Sequence, residues 1–381
     1  MNSPRKRNSN ELDLLIIAAN ARSLIANRGD LIAEAKARGN LVEAVVPEKD
    51  FLVEVEDLGI PIRKIQLSRT GLNPFADLGF AWQLRALIRQ RRPAVVLAYG
   101  VKPVVFGLLG ARLGGVRRCY AMVTGLGHAY TTDSARTRTV RLILAVLYRV
   151  ALRIARRTFF QNPDDLRSFV ERGVLPEGRA VLINGSGINL DRFPMRSLPD
   201  VQSARFLFIG RLLYEKGLRE FVAACRLVAS KHPGCEFVVV GGHDASLPHS
   251  VSLSEVEAWK AEGLVQFVGP VKDVRSWLEW CSVLVLPSYR EGTPRSVLEA
   301  MATGRAIITT EAPGCRETTV DGVNGYLVEP RTVEPLAEAM LRLAERPGIV
   351  ARFAEASRGI VEEKYDVHKV NQILLRAMEL T

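Results

Sequence analysis

The sequence predicts an α/β protein of two doubly wound parallel-sheet domains facing each other across a cleft, and three observations predict it. Short β-rich apolar runs alternate with helical patterns almost throughout, as they do where parallel strands are buried under helices on both faces. A segment near 189–200, rich in Pro and polar residues, interrupts the alternation, which starts afresh beyond it. Finally, the 381 residues, 48% of them apolar, exceed the ~250–300 at which a single core stops growing.

In the first half, short runs place strands at 12–18, 41–46, 62–65, 94–98, 118–123, 158–161 and 181–183. Helical periodicity fills the intervals at 22–38, 74–91, 103–114, 136–156 and 163–171. In the second half, strands are expected at 206–209, 236–240, 265–268, 283–286 and 306–309. Helices at about 215–231, 252–262, 273–280 and 294–303 alternate with them. Pro294 suits the first position of the last of these, where its missing N–H is no loss. The closing helices, 332–345, 349–363 and 366–380, have no obvious strand between them. The expected division is therefore 1–195, 196–365 and a terminal helix, 366–381, that crosses back to brace the first domain.

Charge is divided unevenly. Residues 1–195 hold 30 Lys and Arg against 17 Asp and Glu, or +13, whereas 196–381 hold 22 against 24, or −2. A basic lobe on a neutral one faces something anionic, a phospholipid surface or nucleic acid. Five scattered cysteines, Cys119, Cys225, Cys235, Cys281 and Cys315, form no CxxC pair and show no zinc spacing. They read as reduced, buried thiols of a cytosolic protein. No apolar run approaches the ~20 residues of a membrane span. Arg5-Lys6-Arg7 before an apolar run resembles a signal peptide, but Asp13 breaks the run, and Asn20 and Arg22 follow without a small-residue cleavage site. The expectation is a basic tail and then a buried strand, in a protein that stays in the cytoplasm.

Ligands of open α/β sheets bind beyond the carboxyl ends of the strands, so the residues just after strands carry the chemistry. After 206–209 comes Gly210-Arg211-Leu212-Leu213-Tyr214-Glu215-Lys216-Gly217. Gly210 lets the chain turn, and Arg211 and Lys216 bring a planar fork and a compact point charge suited to phosphate oxygens. By itself this is equally an ordinary solvated loop. After 283–286 comes Pro287-Ser288-Tyr289-Arg290-Glu291-Gly292-Thr293-Pro294, leading into a helix that carries Glu299. Gly292, Thr293 and the amides of that helix start form an anion site fit for a diphosphate. Glu291 and Glu299 lie at two depths of one pocket, and a carboxylate accepts hydrogen bonds from paired sugar hydroxyls. Either Glu alone is also readable as a helix-dipole partner or surface charge.

These residues carry a resemblance. The span 206–330 resembles the donor-binding domain of retaining glycosyltransferases of the GT-B fold with an E-x7-E motif (family four). The matching residues are Gly210-Arg211, Glu215-Lys216-Gly217, Pro287-Ser288, Glu291-Gly292 and Glu299 to Gly304, then Pro313-Gly314, Glu317 and the Asp321-Gly322-x-Asn324-Gly325 element. The resemblance implies two facing Rossmann-like domains, the first (1–195) facing acceptor and membrane, the second (196–365) binding a nucleotide sugar. It implies Arg211 and Lys216 on the donor diphosphate, Glu299 on the ribose, Glu291 on the transferred sugar, and backbone contacts from Gly292 and Thr293. In the first half, Asn20 to Gly29, including Arg28, follows a strand and opens a helix, a second place for phosphate. It lacks the paired glycines common there in the family. Thr124-Gly125-Leu126-Gly127-His128 also follows a strand; in the resembling family a His here contacts the donor sugar, although a lone His is more often structural. His243 reads as part of a surface loop. No Asp-x-Asp pair follows a strand, so two cations and a helix start are expected to neutralise the leaving diphosphate with no metal and no cofactor.

Residues 134–157 hold seven arginines and no acid. At 100° per residue Arg138, Arg149 and Arg156 nearly superpose, flanked by Arg141 and Arg153. Val140, Ile143, Leu144, Leu147, Val150 and Ile154 fall on the other side. That pattern fits a helix lying on an anionic membrane, and equally a core-covering helix with solvated arginines. Nucleic acid would want a series of aromatics interleaved with the cations for stacking, or a recognised binding module, and neither appears. The expected reaction is transfer of a hexose or N-acetylhexosamine from a UDP-sugar to a polyprenyl-diphosphate-linked saccharide, in bacterial polysaccharide or glycan assembly. The expected place is the cytoplasmic face of the inner membrane. The alternatives are a soluble transferase acting on a sugar or sugar phosphate, a non-catalytic nucleotide-sugar-binding protein, and a two-domain epimerase.

Overall fold

The computed structural model describes residues 12–48, 52–67, 74–126, 135–200, 203–245, 247 and 249–380. The chain forms two compact units, one running to Ser186 and completed by the last helix, the other made chiefly of Gly187–Asp366. Among the described residues no helix is long and apolar enough to cross a membrane.

The first unit is a seven-stranded sheet, β1 (Leu14–Ile17), β2 (Val42–Pro47), β3 (Ile62–Ile65), β4 (Val95–Tyr99), β5 (Arg118–Val123), β6 (Arg157–Phe160) and β7 (Ala180–Leu182). Its order is 3-2-1-4-5-6-7 and every pairing is parallel. The order reverses at β1, so right-handed crossovers put helices on both faces. The helices are α1 (Ala21–Ala37), α2 (Pro74–Arg91), α3 (Leu108–Leu113), α4 (Ala135–Leu152) and α5 (Pro163–Glu171). On one face Leu14 and Ile16 of β1 pack with Leu24 and Leu31 of α1. On the other, α2, α3 and a π-helical turn, Pro103–Gly107, pack together under β1. That turn divides what periodicity reads as one helix over 103–114. Glu43, facing inward from β2, is neutralised by Arg63 and by Arg91, 2.7 Å away.

The second unit has six parallel strands, β8 (Arg205–Ile209), β9 (Glu236–Val240), β10 (Gln266–Gly269), β11 (Val283–Leu286), β12 (Ala306–Thr310) and β13 (Gly325–Val328), in the order 10-9-8-11-12-13. Here α6 (Leu218–Lys231), α7 (Leu253–Ala261), α8 (Arg275–Trp280), α9 (Arg295–Ala302), α10 (Glu334–Glu345) and α11 (Pro347–Ile360) cover the sheet. Strand β13 has no counterpart in the sequence reading. It opens on Gly and only its end residues are buried, so it lacks the unbroken apolar run that marks the others. After α11 the chain passes to α12 (Val367–Ala377), whose Val370, Leu374 and Leu375 join the α1 face of the first unit. Both doubly wound parallel sheets are as the alternation of strands and helices predicts.

Candidate functional site

The candidate residues of the second unit lie where two loops after neighbouring strands meet. After β8 the chain makes a 3-10 turn, Tyr214–Lys216, closed by Gly217 at φ 72. A Cβ on Gly217 would stand 2.1 Å from the Pro287 carbonyl oxygen, so the turn lies directly on the segment after β11. The Tyr289 amide donates to the Glu215 carbonyl, 2.9 Å, tying the two loops edge to edge. Lys216 Nζ thereby reaches the Glu291 carboxylate and pairs with it. Both side chains are largely withdrawn from solvent, at 20% and 13% exposure, so their mutual charge is only partly screened. Arg211, one turn earlier, is exposed. The sequence assigns Lys216 and Glu291 to separate partners and gives no sign that they meet.

Helix α9 starts one residue later than expected. Pro294 is its cap, with φ −72 and ψ 111, and has no side-chain cap bond to give the first turn; amides at a helix start favour an anion. Glu299, on the next turn, accepts from Arg295 Nε at 2.8 Å. Burial raises its pKa above the ordinary carboxylate range, and Arg295 opposes that shift. Arg295 is a further candidate residue; its i,i+4 spacing to Glu299 is the signal that would have found it. Behind Glu291, its amide donates to the Pro313 carbonyl at 2.9 Å. The Gly314 amide donates to Glu317 Oε2 at 2.7 Å. The Pro-Gly and Glu elements of the sequence are thus the back wall of the Glu291 loop. The Asp321 to Gly325 element is a turn, with the Val320 amide on Asn324 Oδ1 (2.7 Å) and the Leu327 amide on Asp321 Oδ1 (2.9 Å).

The Lys216 turn is held on its outer side by Glu255 at the start of α7. That carboxylate accepts from Arg219 Nε (2.7 Å), the Tyr214 hydroxyl (2.5 Å) and Ser252 Oγ (2.8 Å). These bonds, Arg219 foremost, lower its pKa from 4.5 to about 2. Because the folded value is depressed, the stabilisation is present above pH 4.5 and is lost as pH falls towards 2. Glu255→Gln is expected to lose about 1 kcal/mol at neutral pH, a modest figure because the pair is partly solvated. Urea unfolding should show the gap from wild type narrowing at about pH 3.5; a gap of constant size would remove the ion pair from the account.

In the first unit the structure departs from the expected phosphate loop. Asn20 is the N-cap of α1, its Oδ1 accepting from the Ser23 amide at 2.8 Å. The helix begins at once at Ala21, so Arg28 and Gly29 sit in its interior rather than in a loop. Arg28 is buried, its Nη1 donating to the Asn27 carbonyl (2.8 Å) and its Nη2 to Met122 Sδ (2.6 Å), with its guanidinium 5.3 Å from the Tyr99 ring centre. The Tyr99 phenol, desolvated beside it, is pushed up to about 12. His128 lies outside the described residues, as does Arg5-Lys6-Arg7. His243, in the second unit, bonds the Val251 carbonyl at 2.8 Å.

Helix α4 also differs in its orientation. Tyr148, Ala151 and Leu152 form its buried side, whereas Leu142, Ile143, Val146 and Val150 are exposed. Ile143 and Val150 are therefore exposed along with Arg138 and Arg149, not turned inward as an ideal wheel with the arginines outside requires. Arg149 and Arg156 are among the arginines that make internal bonds. Arg149 donates to the carbonyls of Gly173 (3.1 Å) and Arg172 (2.8 Å), and Arg156 meets Glu379 at 3.3 Å. Arg153 follows the helix end and is exposed, while Arg141 is half-buried.

Comparison with known proteins places the chain. Residues 203–346 match the family model of glycosyl transferases group 1, and residues 27–185 that of the glycosyl transferase 4-like domain. Among curated relatives, the N,N'-diacetylbacillosaminyl-diphospho-undecaprenol alpha-1,3-N-acetylgalactosaminyltransferase of Campylobacter jejuni is 29% identical over 84% of this chain and 85% of its own length. The UDP-Gal:alpha-D-GlcNAc-diphosphoundecaprenol alpha-1,3-galactosyltransferase of Escherichia coli is 25% identical over 71% of each. Among solved structures, Anabaena HepE in complex with UDP and glucose superposes with a TM-score of 0.77 at 16% identity, over 97% of this chain and all of that one. Sucrose-phosphate synthase of Thermosynechococcus elongatus gives 0.80 at 18% identity, over 97% and 98%. At those identities the superpositions speak to the fold alone. With one family model lying over most of each unit, the chain is a nucleotide-sugar-dependent glycosyltransferase of two Rossmann-like domains, the GT-B architecture.

Proposed function

We propose that this chain transfers a hexose or N-acetylhexosamine from a UDP-sugar to a polyprenyl-diphosphate-linked saccharide, with retention of anomeric configuration, at an anionic membrane surface. The observation that carries the reading is the Lys216–Glu291 pair, with Glu291 four residues before the start of α9, whose cap residue is a proline. When the donor binds, its diphosphate takes the charge of Lys216 and Arg211 and the amides of Gly292, Thr293 and the helix start. Glu291, relieved of its partner, turns to the hydroxyls of the sugar, and Glu299 accepts from the ribose. The bond from the anomeric carbon to the phosphate oxygen breaks as the acceptor oxygen attacks on the same face. The departing diphosphate accepts the acceptor's proton. Stabilising the charge on that leaving group is the largest service the site performs. In this reading the second unit handles the donor and the first the acceptor.

The acceptor class is supported by the names of the Campylobacter and Escherichia relatives, both of which specify diphosphate-linked undecaprenol sugars. HepE, crystallised with UDP and glucose, supports the donor. The outward arc of α4, with Arg138, Arg149, Leu142 and Val146, supports a peripheral hold on the cytoplasmic leaflet. The test is a screen of UDP-sugars against a mixture of polyprenyl-diphosphate saccharides, read by mass spectrometry. One hexose or N-acetylhexosamine added to a lipid-linked acceptor is the expected product; efficient transfer only to free sugars or sugar phosphates would replace this reading with the soluble one. Arg138→Glu with Arg153→Glu is expected to abolish flotation with phosphatidylglycerol vesicles, and high salt to weaken it.

A further inference from the structure

We propose that α2 is a second membrane-inserting element, with Phe75, Leu78 and Trp82 entering the headgroup–acyl boundary of an anionic bilayer and Arg85 and Arg89 lying on its phosphates. The inference rests on the membrane-held acceptor proposed above and names a part of the surface that holds it.

Helix α2 is anchored by one side only. Phe80, Leu84 and Ile88 are buried against the rest of the unit. Phe75, Leu78 and Trp82, at i, i+3 and i+7, form a single exposed line. Phe75 is 88% exposed and Trp82 62%, in a chain whose other large aromatics are mostly covered. Isolated exposed apolar residues need no explanation, but two aromatics and a leucine in register on one helix do. The line continues at i+10 and i+14 with Arg85 and Arg89, and the Arg85 guanidinium lies 4.3 Å from the Trp82 ring centre. An amphipathic ring beside a cation suits the interface between acyl chains and phosphates.

Charge then selects the occupant. The acid of α2, Asp77, points the other way, buried and bonded to Lys102 at 2.8 Å. From residue 78 to residue 163, the stretch that supplies α2, α3 and α4, the sequence has 15 Lys and Arg and one acid, Asp133. A second copy of this chain would bring an equally cationic face and be repelled, whereas an anionic bilayer complements both the charge and the apolar line. Helices α2 and α4 pack against the same π-helical turn, so their exposed faces belong to one layer of the unit and can meet one surface.

The test uses the full chain, vesicles of phosphatidylglycerol and phosphatidylethanolamine with brominated acyl chains, and tryptophan fluorescence. Three of the four tryptophans lie in the second unit, at 259, 277 and 280, so Trp82→Phe removes only the one in question. Expected are quenching of the wild type by the brominated lipid, loss of that quenching in Trp82→Phe, and at least about tenfold weaker vesicle binding by Phe75→Ser/Trp82→Ser. A wild type that floats with the vesicles but is quenched equally with and without Trp82 would overturn the role of α2 and leave the membrane reading intact. Failure of the wild type to bind anionic vesicles at low salt would overturn both. A concentration-dependent dimer in sedimentation, dissolved by Phe75→Ser/Trp82→Ser, would reassign the face to a protein partner.

Discussion

Lys216→Met and Glu291→Gln are each expected to lower kcat/KM by about 10²–10³, the range for removing one charged group that acts on the transition state, but through different constants. In the resting site the two side chains neutralise each other. In the proposed site Lys216→Met removes a phosphate contact and takes away the cation that faces the Glu291 carboxylate where a dianion must bind. Donor affinity therefore falls and KM rises with the loss of kcat. Glu291→Gln takes the carboxylate charge from Lys216, so UDP should bind as well as to wild type or more tightly, while kcat collapses because the sugar hydroxyls have lost a charged acceptor with two oxygens for an amide with one. Steady-state kinetics with calorimetric titration of UDP separates the two. The double variant completes a cycle, and groups that touch are expected to be non-additive, with Lys216→Met/Glu291→Gln binding UDP better than Lys216→Met alone. Full kcat in Glu291→Gln would remove this carboxylate from the reaction.

That pairing also marks where sequence reasoning stops. Glu291 and Lys216 are legible one at a time, because each follows a buried apolar strand and function in such sheets collects there. Their contact, across 75 positions, depends on β8 and β11 being neighbours, which strand order alone does not declare. Helix α4 shows the same limit. Periodicity gives its arcs, but Tyr148 and Leu152 mark which arc is buried, and that choice turns Ile143 and Val150 outward. At Asn20 two expectations conflict, a helix over 22–38 and a phosphate loop that includes Arg28 and Gly29, and the helix is what forms. An Asn three residues before Ser23 at a strand end is a cap that starts the helix immediately, leaving no loop for Arg28 and Gly29. The parallel sheets were legible because β1, β4, β5 and β11 are buried on both faces and so carry unbroken apolar runs.

Gly314→Ala is expected to disable transfer far more than it destabilises the fold. Gly314 has φ 84, and a Cβ there would stand 2.2 Å from the Glu291 carbonyl oxygen and 2.7 Å from that of Gly292. Both neighbours are backbone, so relief requires the Glu291 loop to move as a body. A non-glycine residue at positive φ costs about 1–2 kcal/mol by itself, and the displaced backbone adds to that. Gly263→Ala isolates the first contribution, since Gly263 has φ 69 and nothing within 4 Å of the new methyl. Urea unfolding should place Gly314→Ala about 1–2 kcal/mol below Gly263→Ala, an overpacking cost. Single-turnover transfer should be close to wild type in Gly263→Ala and down by about 10² in Gly314→Ala, the scale of a misplacement near 1 Å. The two losses have one cause, because the wall that Gly314 forms is the surface against which Glu291 is positioned. Were Gly314→Ala to lose stability but keep its transfer rate, the Glu291 loop would have to be free to shift without consequence, and the Glu291 carboxylate would not be what orients the sugar.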